Sequence, residues 1–169
     1  LLVADPRRST ASTDRYDEEF GTQGPLVSGN RLVQNGVNAL VVRAGTLTTE
    51  GVWDDTDIVH FVTDTIFVPD FHTYGGLRLE SKSTESLVVK LDGPTAGLTA
   101  YGNPLDINDR IGGAIHIIGQ PGFPVVLTSF EDDSVGAGLQ PDGSPQTDTN
   151  NNQVTSDGLL PTGPEVDNG

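Results

Sequence analysis

The chain has 169 residues, the size of one domain, and 34% of them are hydrophobic, which is enough for a narrow, elongated core. Its 24 acidic and 9 basic residues give a formal net charge of -15. That charge would repel a nucleic acid backbone or an anionic membrane surface and attract divalent cations, and the absence of cysteine excludes disulfides and thiolate metal sites.

Glycine and proline are frequent, with 21 and 11 copies, and they interrupt helices at almost any register. The composition therefore predicts an all-β fold in which helix is scarce. No apolar run reaches transmembrane length, and the opening residues LLVA are too few for the core of a signal peptide. Methionine is absent, even at position 1, so we expect a processed product or a piece of a longer chain.

Residues 1–24 are polar and without periodicity, which predicts an arm or linker. Residues 25–133 then carry short, β-branched runs between Gly, Asn and Pro, and no helical pattern interrupts them. These runs predict the coils of a β-solenoid, with Asn30, Asn35 and Asn38 at tight corners. The predicted strands are 39–43, 58–62, 77–80, 87–91, 114–118 and 125–128.

The spacing of the runs indicates the length of one coil. The steps from Ala39 to His60 and from Leu77 to Leu98 are both 21 positions, and the step from Leu98 to Val125 is 27. One coil of a parallel β-helix needs roughly 20–30 residues, so about four or five coils are expected. Uncapped ends of such a stack would expose strand edges to another copy.

Residues 134–169 are predicted to form a loop or tail rich in Gly, Pro and Asn. Between residues 131 and 169 the chain has eight acidic residues and no Lys or Arg. Such a segment cannot bury enough apolar surface to order itself. We expect it to be disordered, ordered by a metal, or held against another surface.

The best candidate for a binding site is the loop at 148–158, where oxygen-bearing residues alternate as the hard oxygen shell of Ca²⁺ requires. An EF-type loop would have glycine at the sixth place and glutamate at the twelfth, and here Gln153 and Leu159 stand there. A solvated acidic loop is the alternative. The predicted metal ligands are Asp148, Asn150, Asn152, the carbonyl of Val154, and Asp157, joined by Asp132, Asp133 and Asp142 if the loop folds back.

A second acidic group, WDDTD at 53–57, places three carboxylates at the start of an apolar strand. It predicts a turn that caps the strand, with calcium binding and polysaccharide cleavage as alternatives. Trp53 is expected to pack in the core or at an edge rather than on a sugar. The three histidines, His60, His72 and His116, lack metal-binding spacing and are predicted to face solvent from their strands.

The basic residues Arg78, Lys82, Lys90 and Arg110 are the types that a β-helix lyase would use. Arg78 and Lys90 alternate with apolar residues in LRLE and VKL, so we expect outward, screened charges. No catalytic residue is predicted.

Three strings resemble the right-handed parallel β-helix segments of very large secreted bacterial surface proteins. They are GVWDDTDIVH at 51–60, GGLRLES at 75–81, and GQPGFPVVLTS at 119–129 followed by Asp132 and Asp133. In that pattern a coil ends in an apolar-Thr-Ser step, and an acidic loop rich in Gly and Asn follows. The likeness covers residues 26–160 and implies a secreted scaffold of several coils, with no catalytic residue to carry over.

We therefore expect a non-enzymatic structural segment at the cell surface, either one module of a longer chain or a filament subunit. Its partners would be copies of itself, joined head to tail or through strand edges, or adjacent coils of a longer parent chain. Ca²⁺ would rigidify the acidic loop by cancelling its self-repulsion. Two other classes stay open: a polysaccharide lyase or hydrolase with a cleft along a sheet face, and a carbohydrate-binding adhesin.

Overall fold

A computed structural model describes residues 2–4, 27–48, 51–69, 76–102 and 113–152 of the chain. This part of the chain is all-β, and all six strands predicted from the sequence are confirmed. It contains no helix with the length and apolar character needed to cross a bilayer. The strands are β1 (Leu2–Ala4), β2 (Leu40–Val42), β3 (Gly45–Thr46), β4 (Gly51–Trp53), β5 (His60–Val62), β6 (Thr65–Pro69), β7 (Gly76–Glu80), β8 (Leu87–Leu91), β9 (Gly97–Tyr101), β10 (Ala114–Ile118) and β11 (Val125–Ser129).

The strands form three sheets in which every pairing is parallel. Sheet A has the order β1-β2-β5-β8-β11, sheet B the order β3-β6-β9, and sheet C the order β4-β7-β10. From β2 onward the chain visits A, B and C in turn, and each strand pairs with the strand three elements later. This is the stacked, parallel arrangement expected of a β-solenoid.

From β2 onward the described strands complete three turns and β11 begins a fourth, while β1 adds a strand to sheet A before β2. On sheet A, Leu40 pairs with His60 after 20 positions, His60 with Val89 after 29, and Val89 with Leu127 after 38. The 21-residue repeat is therefore wrong. Leu77 lies in β7 of sheet C and Leu98 in β9 of sheet B, so the 21 positions between them do not span one coil.

The growth comes from longer strands, since β6 and β7 have five residues where β3 and β4 have two and three, and from particular corners of the coil. Between sheets C and A the connection is six residues at every turn: 54–59, 81–86 and 119–124. Between sheets B and C it has four, six and twelve residues in successive turns. The corner from C to A is therefore the one whose length between strand ends stays fixed. The register still shifts there, because Trp53 and His60 are seven positions apart and their partners Leu79 and Val89 are ten apart.

The interior of the coils is apolar, as the alternation within the strands requires. Buried side chains from all three sheets meet there, and Trp53 is the largest of them. Residues of the last turn, among them Leu98 and Ile115, pack against this cluster but are only partly buried. The core members are Val42, Leu47, Trp53, Val62, Ile66, Val68, Leu77, Leu79, Leu87 and Val89.

The outer face of sheet A is also covered, and the cover is the acidic segment after β11. We call residues 131–149 the strap. Its Val135 and Ala137 pack on the outward residues of the sheet, including Phe61, whose ring stacks on Phe130 at 4.1 Å. Of the three states expected for this segment, the described part shows the last, because it is held against another surface.

Two contacts fix the strap closely against the coils. The backbone and side-chain amides of Asn38 donate to the carbonyls of Thr149 and Asp148, at 2.8 and 2.9 Å. Gly138 of the strap lies so near the coil that a Cβ there would clash with the carbonyl oxygen of Asp57. Asn38 therefore anchors the strap, while its Oδ1 accepts hydrogen bonds from the backbone and side-chain amides of Asn35.

Candidate functional site

Lys90 is the centre of the most unusual group of charges in the described residues. It points outward from β8, between Phe61 and Thr128 on the neighbouring strands, and the strap covers it completely. Its Nζ donates to the carbonyl of Asp132 at 2.6 Å and to that of Thr147 at 3.3 Å. The alternation in VKL correctly predicts an outward side chain, but the predicted solvent exposure is wrong.

The ammonium of Lys90 is compensated by carboxylates of the strap. Asp133 Oδ1 lies 4.0 Å from Nζ, and both side chains are buried. Burial lowers the pKa of Lys90, against the opposing attraction of Asp133, Asp132, Asp148 and Glu131. Burial likewise raises the pKa of Asp133 to about 6, although Lys90 pulls it down. The pair is therefore held by the strap at a cost in desolvation, as is usual for buried ions.

Asp132 has a different role, because it closes the turn that starts the strap. Its carboxylate accepts hydrogen bonds from the Thr128 hydroxyl and from the amide and hydroxyl of Ser134. Burial alone would raise the pKa of Asp132, but these hydrogen bonds and Lys90 outweigh it and the pKa is lowered. Asp132 therefore stays ionised and shapes the turn.

The predicted calcium ligands are only partly described. Asp148 and Asn150 both offer Oδ1 to the backbone amide of Asn152, at 3.1 and 3.2 Å. The Asn150 amide donates to Glu131 Oε2 at 2.6 Å. Val154 and Asp157 lie outside the described residues. Asp142 accepts from Ser144 in a turn of its own.

The acids that the sequence assigns to calcium therefore lie near the buried ammonium of Lys90. Asp132, Asp133 and Asp148 all act on the charge of Lys90. Within the described ranges, no three His, Asp or Glu side chains are grouped so that they could hold a metal ion. The sequence carries one signal for this arrangement, a lysine inside the apolar run LVVKL before an acidic segment without Lys or Arg.

The second acidic group lies at the fixed corner between sheets C and A, where the predicted turn is confirmed. Asp54, Asp55 and Thr56 are buried there. The Thr56 hydroxyl donates to Glu85 Oε2, at 2.6 Å, in the next turn of the coil. Ser81 continues the contact, since its hydroxyl accepts from the Gln120 amide at 2.8 Å. Polar hydrogen bonds thus tie three successive turns together at this corner.

Asp55 is the strongest candidate for acid–base chemistry by its pKa alone. Burial, together with the neighbouring charge of Asp54, raises that pKa to about 7, and Lys82 opposes the shift. A carboxyl that titrates near neutral pH has the property a general acid needs. However, Asp55 is only 1% exposed and its Oδ2 makes no hydrogen bond, so a polysaccharide does not reach it.

The histidines are divided between the inside and the outside of the coil. His60 is fully buried and stacks on Trp53, with the ring centroids 5.2 Å apart, so its predicted solvent exposure is wrong. Burial lowers its pKa to about 4, which leaves the ring neutral. His116 is exposed, as predicted, and His72 lies outside the described residues.

These shifted groups predict how stability depends on pH. The carboxyl of Asp55 binds its proton more tightly in the folded than in the unfolded chain. Its contribution to the free energy of unfolding is therefore full below pH 4 and is lost as the pH rises through 7. For His60 the sign is reversed: its contribution to the free energy of unfolding is present above pH 6.5 and is lost as the pH falls through 4.

The substitution Asp55→Asn is therefore expected to raise the free energy of unfolding at pH 7.5 by about 2 kcal/mol, and the gain should vanish near pH 4. Urea unfolding at the two pH values measures it. The exposed Asp92→Asn is the matched control, and we expect it to change little at either pH. An Asp55→Asn gain that is the same at both pH values would contradict the raised pKa.

No family model, curated protein or solved structure matches the chain.

Proposed function

We propose that the chain is a non-enzymatic structural module, a right-handed β-helix that serves as a scaffold at the cell surface. One observation carries this proposal: the described groups whose pKa values are most strongly shifted are enclosed in the protein. Asp55, His60, Lys90 and Asp133 are all buried, in corners, in the core or under the strap. A catalytic group must touch its substrate, whereas these groups contact other parts of the same chain.

General rules support the details of the proposal. Crossover connections between parallel strands of one sheet are right-handed in about 98% of cases, which favours a right-handed coil. A net charge of -15 keeps a protein soluble and separate from nucleic acid, and a cysteine-free chain has no thiol to be oxidised outside the cell. Both properties suit an extracellular scaffold.

The proposal is tested by asking whether the protein acts on polysaccharides. Incubation with acidic polysaccharides, followed by ultraviolet absorbance for unsaturated ends and a reducing-end assay, is expected to show no turnover above a heat-denatured sample. Turnover that the native protein alone produces would overturn the structural role in favour of a lyase or hydrolase. Binding on a glycan array without turnover would overturn it in favour of an adhesin.

Calcium binding at 148–158 stays a prediction, and the strap gives it a physical reason. Four carboxylates act on the single ammonium of Lys90, so an excess of negative charge remains beside the predicted loop. Millimolar Ca²⁺ is expected to raise the melting temperature by a few degrees, and a chelator should reverse the rise. An equal rise in the variant Asp148→Asn, or an unchanged melt, would remove calcium from the proposal.

A further inference from the structure

Lys90 and Asp133 form a pair that is closed off from water. Both side chains are buried where the strap covers sheet A, and Lys90 Nζ lies 4.0 Å from Asp133 Oδ1. Apolar side chains line the same face of the sheet, among them the stacked rings of Phe61, the partner of Lys90 on β5, and Phe130. An amine and a carboxyl are thus enclosed together in an apolar site.

The hydrogen bonds of Lys90 leave its nitrogen open in one direction. Nζ donates to the carbonyls of Asp132 and Thr147. An ammonium has three N–H donors, whereas the neutral amine has two and a lone pair. The two carbonyls therefore satisfy both N–H groups of a neutral Lys90, and the lone pair is left for Asp133.

The carboxyl of Asp133 is suited to accept that lone pair. Its Oδ1 has no hydrogen-bond partner, and the side chain is only 4% exposed. Burial raises its pKa to about 6, which favours the neutral acid, and an amine adds to a neutral acid far more readily than to a carboxylate. The neighbouring Asp132 is a poor target, because hydrogen bonds from Thr128 and Ser134 keep it ionised.

Burial prepares both groups by the same effect. It lowers the pKa of Lys90 while it raises that of Asp133. Transfer of one proton from Nζ to the carboxyl leaves the net charge unchanged and replaces two buried ions by a neutral amine and a neutral acid, which removes their desolvation cost. The enclosed pair therefore has access to the state in which it can react.

We propose that Lys90 and Asp133 condense to an intramolecular isopeptide bond that fastens the strap to sheet A. Nζ of the neutral amine attacks Cγ of the neutral carboxyl, so the Nζ–Cγ bond forms and the bond from Cγ to its hydroxyl breaks. One amine proton goes to the departing hydroxyl, one water molecule is released, and nothing is oxidised or reduced. This inference goes beyond the proposed function, because the chain reacts once with itself in any role.

The surroundings of the pair assist each part of this step. The backbone amide of Thr149 donates to the Asp133 carboxylate, where it stabilises negative charge that develops on oxygen during the attack. Asp148 and Glu131 act on the charges of both groups, and their carboxylates can carry the proton from nitrogen to hydroxyl. Reacting groups held in contact behave as if their concentration were about 10⁵ M or more, and the covered site excludes the water that would reverse the reaction.

The bond can form only after folding, because Asp133 follows Lys90 by more than 40 positions and the strap brings the two together. The freshly refolded chain therefore carries the ion pair, and it is the reference state for the stability of Lys90 variants. Once the bond has formed, residues 90 and 133 close a covalent loop that persists when the coils unfold. Such a loop restricts the unfolded chain and so stabilises the folded one.

Intact-mass spectrometry tests the bond. Native protein kept overnight at pH 7.5 is expected to weigh less than its sequence by one water molecule, and a sample held in urea from the start should keep the full mass. Lys90→Met and Asp133→Ala should also keep it. Lys82→Met is the matched control, since Lys82 is exposed, and it should lose the water. Native protein of full mass would overturn the proposal.

Peptide mapping of the native protein locates the bond and does not depend on the folding of any variant. Aspartate before glycine can also lose water by closing a succinimide ring, and the chain has this pair at Asp92, Asp142 and Asp157. The isopeptide bond instead blocks trypsin at Lys90 and is expected to join the peptide 83–110 to the peptide 111–169 through Asp133. Water loss confined to linear peptides, or a branch at another carboxyl, would overturn the proposal.

Discussion

Replacing Trp53 with alanine is expected to lower the free energy of unfolding by about 3–5 kcal/mol. Trp53 is the largest fully buried side chain, and its ring packs against His60 and the apolar cluster of all three sheets. Its removal leaves a cavity that the surrounding strands cannot fill, because their register is fixed by parallel pairing on both sides. Urea unfolding followed by circular dichroism at pH 7.5 measures the loss.

Trp53→Phe is the control for this prediction. It keeps an aromatic ring beside His60 and removes the indole Nε1, which has no hydrogen-bond partner in the described structure. We expect a loss of about 1 kcal/mol, well below that of alanine. A small loss with alanine, similar to that with phenylalanine, would mean that Trp53 does not lie in a close-packed core.

Replacing Lys90 with methionine is expected to cost about 3 kcal/mol and to loosen the strap. Methionine keeps the volume of the side chain but removes the charge, so Asp133 is left buried without a counter-ion. Amide hydrogen exchange of residues 131–149 should accelerate by a factor of ten or more. The loss should shrink as the pH falls toward 6, because the pKa of Asp133, about 6 beside Lys90, rises further without Lys90 and the carboxyl takes up a proton.

The double variant Lys90→Met with Asp133→Asn separates the charge from the packing. Once both ions are gone, most of the lost stability should return, since a buried ion pair and an uncharged pair of similar volume are often nearly equivalent. If the double variant is as unstable as the sum of the two single variants, the two side chains do not act on one another.

The sequence is sufficient to predict the strands of sheet A from β2 to β11, because each lies in a local apolar, β-branched run. It is not sufficient for sheet B. Its strands are the pair Gly45–Thr46, Thr65–Pro69 with a proline at its end, and Gly97–Tyr101, which has few β-branched residues. These segments are extended because a neighbouring coil pairs with them, and that pairing partner is 20 or more positions away in the sequence.

The candidate site shows the same limit at the level of single residues. Alternation along a strand tells which side of the sheet a residue faces, and it places Lys90 correctly outside the coil. It does not tell that the strap, more than 40 positions later, covers that face. His60 lies in IVHFV, where either register is plausible, and only its pairing with Leu40 and Val89 places it inside.

The unequal corners of the coil determine where this protein tolerates change. Six residues join sheets C and A at every turn, and hydrogen bonds such as that from Thr56 to Glu85 link one corner to the next. A residue inserted there would separate these hydrogen-bonded side chains, so we expect insertions at this corner to lower the stability of the coil. The connections between sheets B and C already vary from four to twelve residues, so we expect insertions there to cost less stability than insertions between sheets C and A.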